Sequence, residues 1–353
     1  MKIIHLSDFH LDGDTLNHNH KRLLGALITD IEKYYEEDCI LVFSGDFLNV
    51  GGKNIHSQNN PFVIFKENVL DRIYTSYPLL KDRTFFVAGN HDINRDSINT
   101  SDKLAKKQLL KEYEQRDNIY DDFQKYLPGF KEYNTFVSDF YRDFKEKKNI
   151  TPLESNFIIK TKDGNKIGIT SLNSSFLCYG SEDLGNILLL DKQLRNSIEF
   201  IDECDVKIAV LHHPIDFFHE TEKEKIQKIL EKEYDLVFVG HTHKVKQEFK
   251  QTLNGICFFS NGKSLNGEES EKIDYINGYT IIDYIPNQTL KVHLRNYSNI
   301  CNKFIPNNEY GNNEGIYEVS INKNIDNEEN IYNKRDIRLA KLSAILQMAN
   351  ALD

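Results

Sequence analysis

Five short apolar runs in this sequence stop at groups that can hold a cation or carry a proton. Phe85-Phe86-Val87-Ala88 ends at Gly89-Asn90-His91-Asp92, and Ile3-Ile4-His5-Leu6 runs into Ser7-Asp8-Phe9-His10. Ile40-Leu41-Val42-Phe43 is followed by Ser44-Gly45-Asp46, Ile208-Ala209-Val210-Leu211 by His212-His213, and Leu236-Val237-Phe238-Val239 by Gly240-His241-Thr242-His243. Imidazole nitrogens, carboxylate oxygens and an amide oxygen, with no thiol close by in sequence, suit borderline or hard divalent metals such as Mn, Fe or Zn. Asp8 and His10 are two residues apart, as are His241 and His243, a spacing that in extended chain puts both members on one side. Each pair can therefore hold one ion. Asp8, His10, Asp46, Asn90, His212, His241 and His243 together exceed what a single tetrahedral ion takes.

The elements that must position these groups follow from the apolar runs. Near-continuous apolar stretches read as buried strands of a parallel or mixed sheet, and open α/β sheets bind ligands beyond the carboxyl ends of their strands. Five strands are thus expected to deliver their polar tips to one edge. Taken singly, an Asp-x-His or Gly-Asp pair is more often a solvated turn. Taken jointly the runs have no packing explanation, because a core histidine needs only one partner and gains nothing from company.

In this order the five blocks resemble the calcineurin-like metallophosphoesterases, whose signature is D-x-H, then G-D, G-N-H-D/E, a later H, and G-H-x-H; the resemblance extends over roughly residues 1–300. It implies an α/β fold, a two-sheet β-sandwich flanked by helices in four αββα layers. It also implies a dinuclear centre with two divalent metal ions, manganese first and iron or zinc as alternatives. Asp8, His10 and His243 would hold one ion, Asn90, His212 and His241 the other, and Asp46 would bridge them. His91 would sit over the substrate as general acid or phosphate-stabilising cation, with Asp92 orienting it. Of the histidine pair, the family pattern selects His212, which directly follows its strand; His213 is left open. The implied activity is hydrolysis of phosphoric esters by metal-activated water.

The rest of the chain frames these blocks. A polar loop with Asp12, Asp14, His18 and His20 has ordinary turn chemistry and precedes a helix over 21–35. A Gly- and Asn-rich connector with Lys53 and His56 follows Asp46, and a second helix covers 61–76. Residues 94–150 form an insertion in which Tyr120, Phe123, Tyr126, Phe130, Tyr133, Phe136, Phe140 and Phe144 recur at helical spacing. It reads as a helical cap whose rings pack on the core, the alternative being that some stack on a base. Arg95 is better placed than those rings to meet a phosphate. Beyond it, Lys162-Asp163-Gly164-Asn165 turns a hairpin of strands over 157–160 and 166–172. Helices are expected over 184–200 and 220–232. Strands over 256–260, 278–285 and 289–297 are expected to close a second sheet. The metallophosphoesterase domain would span 1–299, a linker rich in Asn, Glu and Gly 300–333, and an amphipathic helix 334–353, which would dock on the core, a second subunit or a further domain.

Composition narrows the classes. The 54 acidic against 44 basic residues give a net charge of −10, which disfavours generic adhesion to nucleic acid or anionic membrane. No run of ~18 apolar residues is present, and the sequence opens directly into a strand, so a cytoplasmic, membrane-free protein is expected. Cys39, Cys178, Cys204, Cys257 and Cys301 show no C-x-x-C spacing, which speaks against a disulfide framework or a zinc ribbon. The favoured substrate is a nucleotide-like or cyclic-nucleotide-like phosphodiester. The alternatives are a phosphomonoester, a DNA substrate as in the double-strand-break repair branch of the same superfamily, and a non-catalytic module whose terminal helix binds a partner; the complete ligand set weighs against the last.

Overall fold

The structure is a computed structural model that describes residues 1–111, 119–180, 182–244, 246–252, 255–266, 276–308, 312 and 314–321. Within them two mixed sheets of seven strands each carry eight α-helices. In the first sheet β1 (Lys2–Leu6), β2 (Ile40–Phe43) and β3 (Thr84–Phe86) run parallel, Ile3 beside Ile40 and Leu41 beside Thr84. In the second, β4 (Lys147–Ile150), β5 (Glu154–Lys160) and β6 (Lys166–Leu172) form an antiparallel meander, and β7 (Val206–Val210) and β8 (Leu236–Val239) continue from β6 in parallel. All residues of β2 and β8 are buried, which is why they read as unbroken apolar runs rather than alternating ones.

Helices return the chain between parallel strands. α1 (His18–Ile31) joins β1 to β2 and starts where the Asn17 side chain accepts the His20 N–H at 2.8 Å, a helix N-cap. The helix expected over 61–76 is continuous but contains a π turn, Lys66–Leu70, between α2 (Pro61–Phe65) and α3 (Asp71–Ser76). In the insertion lie α4 (Thr100–Lys111), α5 (Tyr120–Lys125) and α6 (Lys131–Phe140). α7 (Asp191–Phe200) and α8 (Glu220–Glu233) pack on the second sheet. α7 begins seven residues later than the apolar pattern from Leu184 predicts; Gly185 is left-handed, φ 75°, and Gln193 Oε1 accepts the Leu190 N–H at 3.2 Å to start the helix there.

The closing strands differ from the sequence reading. β10 (Gly255–Asn261) does not join the two strands that follow it: it enters the second sheet parallel to β8, with β9 (Lys246–Thr252) on its far side. β11 (Gly278–Ile285) and β12 (Thr289–Ser298) instead complete the first sheet, β11 pairing antiparallel with β1 so that Lys2 faces Asp283. Strand alternation alone carries no information about which sheet a strand joins. The expected linker at 300–333 contains β13 (Lys303–Pro306) and β14 (Ile316–Ser320), both paired with β12. These are edge strands, where mostly polar residues suffice; in β13 only Phe304 is buried, against Tyr279 with ring centroids 4.9 Å apart. The helix expected at 334–353 lies outside the described residues.

The insertion is only partly a cap. Its last residues are β4, at the edge of the second sheet. Phe136 of α6 stacks on Phe62 and Phe86 at 5.7 and 5.5 Å, and Tyr141 packs on Phe157 at 4.5 Å. Such ring pairs add to the burial of apolar area, so α6 belongs to the core; Tyr126, 58% exposed, is the exception in the stripe. Among the described residues no helix is long and apolar enough to cross a membrane.

Candidate metal centre

The polar tips of β1, β2, β3, β7 and β8 meet at one edge. Asp8, His10, Asp46, His241 and His243 all adopt left-handed backbone, with φ of 53°, 51°, 57°, 70° and 56°. Non-glycine residues sit there only when their surroundings hold them, and such residues cluster at functional sites. Here the holding is done by main chain: Asp8 N–H donates to Gly45 O at 3.0 Å, Phe9 N–H to Asp46 O at 2.9 Å and Leu11 N–H to Phe47 O at 2.8 Å, extending the β1–β2 contact past the sheet. Asp92 ties the third tip to the second. Its carboxylate accepts N–H bonds from Gly89 at 2.7 Å, Asp46 at 2.9 Å and Leu48 at 3.0 Å. Asp92 thus holds two turns together, one of them the turn that carries His91.

Two glycines are required by space. A Cβ on Gly89 would lie 2.0 Å from Asp46 Oδ1, and one on Gly240 2.1 Å from Ser7 Oγ. Ser7 Oγ donates to Asp8 Oδ2, so both glycines let backbone approach a carboxylate.

Two groups of ligand atoms result. In the first, His243 Nε2 lies 3.2 Å and His10 Nε2 3.9 Å from Asp8 Oδ1, and the two imidazole nitrogens are 3.4 Å apart. In the second, Asn90 Oδ1 is 3.0 Å from both His212 Nε2 and His241 Nδ1. Asp46 Oδ2 stands between them, 3.3 Å from His212 Nε2 and 3.9 Å from His10 Nε2. All seven residues named from the sequence therefore come together, and His213 stays behind them.

The donor set fits divalent cations on three grounds. His212 Nδ1 is 2.7 Å from Ser44 O, which can only accept, so the neutral ring keeps its lone pair on Nε2. That lone pair faces two oxygens, Asn90 Oδ1 and Asp46 Oδ2, across distances that call for a positive charge between them. Asp8 Oδ1 is buried and accepts no well-directed hydrogen bond. Protons show the same demand: burial alone would lower His212, but Asp46, Asp8 and the Ser44 carbonyl outweigh it and push it up to about 9. His241, buried beside His212, is pushed down to about 4. Burial would raise Asp46, yet His212, His10 and His91 hold it well below the carboxylate range.

His91 N–H donates to Asp46 Oδ1 at 2.8 Å, and its ring stands edge-on to His10 at 4.9 Å. Arg95 Nη2 donates to Asn90 O at 3.4 Å. The other polar groups in the flanking loops have local work: Asp12 accepts from Asn54 Nδ2 at 2.7 Å, Asp14 from Ser57 N–H at 2.8 Å, and His20 lies on Phe9 with rings 5.1 Å apart. Sequence reasoning missed the Ser44 carbonyl; Ser174, which reads from the sequence as a pocket-lining candidate with its neighbours Asn173 and Ser175, has an Oγ that accepts the His212 and His213 N–H groups at 3.3 and 3.2 Å. A backbone carbonyl has no residue-type signature; Ser174, directly after the β6 strand, had only its position as a signal.

A sequence profile described as calcineurin-like phosphoesterase matches residues 1–245. The chain belongs to that family, and by family it is classed with the metal-dependent phosphoric ester hydrolases. A curated relative, the uncharacterised metallophosphoesterase-like protein YydB of Bacillus subtilis, is 25% identical over 309 residues, covering 82% of this chain and 59% of its own length. The chain thus spans about three fifths of that relative. Among solved structures, a dimetal phosphatase of Danio rerio is 10% identical with a TM-score of 0.48, over 91% of this chain and 98% of that one. A purple acid phosphatase from yellow lupin (Lupinus luteus) seeds is 10% identical with a TM-score of 0.47, over 92% of this chain and 54% of that one.

Proposed function

We propose that this chain hydrolyses small phosphodiesters of the nucleotide or cyclic-nucleotide kind, using two divalent ions held by Asp8, His10 and His243 on one side, Asn90, His212 and His241 on the other, and Asp46 between. The observation that carries this reading is the convergence of His212 Nε2, Asn90 Oδ1 and Asp46 Oδ2 as lone pairs, with His212 Nδ1 already committed to Ser44. When bound, the ions supply Lewis-acid charge for the phosphoryl oxygens and make water a nucleophile near neutral pH, manganese being the first choice for an oxygen- and imidazole-rich set.

The protein's own groups do the rest. Asp46 fixes the His91 backbone, which sets the imidazole beside His10 at the mouth of the centre. From there His91 gives a proton to the leaving oxygen, a contribution of ~100- to 10,000-fold for a general acid. Burial holds His91 below its ordinary value against the pull of Asp46, and an anionic ester arriving beside the ring favours its protonated form. Arg95, at the rim, offers a cation to a further phosphate oxygen. A small substrate is favoured over nucleic acid by the net charge of −10 and by the burial of most insertion rings in the core.

A hydrolysis panel with Mn, and separately with Mg and Zn, tests this. A chromogenic diester and cyclic nucleotides should turn over, and a phosphomonoester and single- or double-stranded DNA should lag well behind. Preference for the monoester or for DNA would replace the substrate assignment; failure of every ester with metal retained would remove the activity itself.

A further inference from the structure

α4 and α5 each turn one face toward a cavity of about 490 Å³. Asp102, Lys106 and Leu109 line it from the first helix, and Phe123 and Tyr126 from the end of the second, at the three- and four-residue spacings that share a helix face. The floor is buried: Leu109, Leu177 and Tyr179 are 8%, 2% and 7% exposed. Phe123 is fixed edge-on against Phe176, ring centroids 5.3 Å apart. Tyr126, at the lip, is the ring of the insertion stripe that the core leaves in solvent.

The walls of this cavity are anchored on chain that touches the metal centre. Leu177 and Tyr179 flank Cys178, whose sulfur is 3.7 Å from His213 Nε2, and the His213 ring is 4.6 Å from that of His241. On the insertion side Pro128 leads into Gly129, whose carbonyl accepts the Asn94 N–H at 3.1 Å, one residue before Arg95. Lys106 and Arg95 act on the same buried carboxyl, Asp183, so Lys106 lies toward the rim where Arg95 offers a cation to phosphate.

We propose that this cavity receives the heterocyclic base of the substrate, with Tyr126 stacking on it and Leu177 and Tyr179 as its floor; the inference rests on the phosphodiesterase reading above and supplies its specificity. The size fits, since small-molecule sites are mostly apolar clefts of ~300–1,000 Å³ with a few polar groups. A nucleobase offers a π-face to an aromatic ring and carries its polar atoms on its edge. The apolar floor, with Asp102, Lys106 and Gln108 beside it, matches that combination. An alkyl chain would cover those three groups without supplying a hydrogen bond, which is unfavourable. Tyr126 binds here and takes no part in the chemistry.

The chain has no tryptophan, so Tyr126→Trp places a single indole emitter at the lip. Adenosine, which carries no phosphate and needs no metal, should quench that emission saturably. In the Mn-loaded full chain, Tyr126→Ala should lower the kcat/KM ratio of a cyclic nucleotide to methyl nitrophenyl phosphate by ~10-fold, through KM, as expected for one base–aromatic stack, and Tyr126→Phe should restore it. Saturable quenching with no ester hydrolysed would remove the diesterase reading and leave the base pocket standing. Absence of quenching, or a ratio unchanged in Tyr126→Ala, would overturn the pocket, as would tighter binding of hexyl phosphate than of adenosine.

Discussion

His91 and Asp46 are joined by one backbone hydrogen bond, yet their removal should look different. Asp46→Ala takes a ligand from both proposed ions and is expected to empty the centre and abolish turnover of every ester, as read by metal analysis. His91→Ala should keep its metal and slow a nitrophenyl ester by ~10-fold and an alkyl or nucleoside ester by ~1,000-fold, because only a poor leaving group needs the proton. Equal losses for both esters would make His91 a phosphate-holding group instead. Gly89→Ala pushes a methyl onto Asp46 Oδ1, 2.0 Å away; it should lower metal affinity while far-ultraviolet circular dichroism stays unchanged, and native metal content would refute this. At this scale the seven ligand candidates were legible because each ends an apolar run. The work of Asp92 was not, since its partners are three backbone N–H groups, which any sequence would supply.

Between elements, a buried, fully hydrogen-bonded ion pair holds α1 to the first sheet. Asp30, 3% exposed, accepts from Arg295 Nε and Nη2 of β12, both at 2.7 Å, and from Tyr279 Oη of β11 at 2.8 Å. Burial would raise the Asp30 carboxyl, but Arg295, Lys33 and Tyr279 hold it below the ordinary 3.8. A depressed folded-state value contributes stability that is complete above the unfolded value, ~3.9, and is lost as pH falls through the folded one. Arg295→Met leaves a buried carboxylate with too few partners and should cost about 3–5 kcal/mol at pH 7, measured by urea unfolding of the metal-free protein. The deficit should shrink below about pH 4, where protonating Asp30 removes the stranded charge; a deficit constant down to pH 2.5 would disprove the assignment. None of this could be read from the sequence. Asp30 and Arg295 are 265 residues apart, and each looks like a surface charge on an amphipathic element.

Over the whole molecule, the sandwich and its site edge followed from the five apolar runs and their resemblance to a known family, because buried parallel strands carry a strong compositional signal. The closing strands did not. β10 and β11 have similar patterns yet enter different sheets, and the polar edge strands β13 and β14 look like linker. Ending the chain at residue 299 would remove Phe304 from its place against Tyr279 and Tyr297, and the Phe304 carbonyl from Arg295 Nη2. A chain ending at 299 should therefore melt many degrees lower than one ending at 321. A large buried aromatic alone is worth about 3–5 kcal/mol when truncated to alanine, so identical melting of the two would restore the linker reading.

The pairing of β1 with β11 also sets an order of events during synthesis. β1 is made first, but its neighbour on one side is complete only at Ile285. At ~5–20 residues per second, the nascent first strand waits for that partner on the order of tens of seconds. During this interval a buried apolar strand presents a bare row of amide and carbonyl groups, the kind of edge that recruits other chains. All seven ligand candidates have emerged by His243, before the sheet that carries four of them is closed. Ribosome-stalled chains displaying residues 1–245 should accordingly be held by chaperones, and release should follow the appearance of β11 rather than the supply of metal.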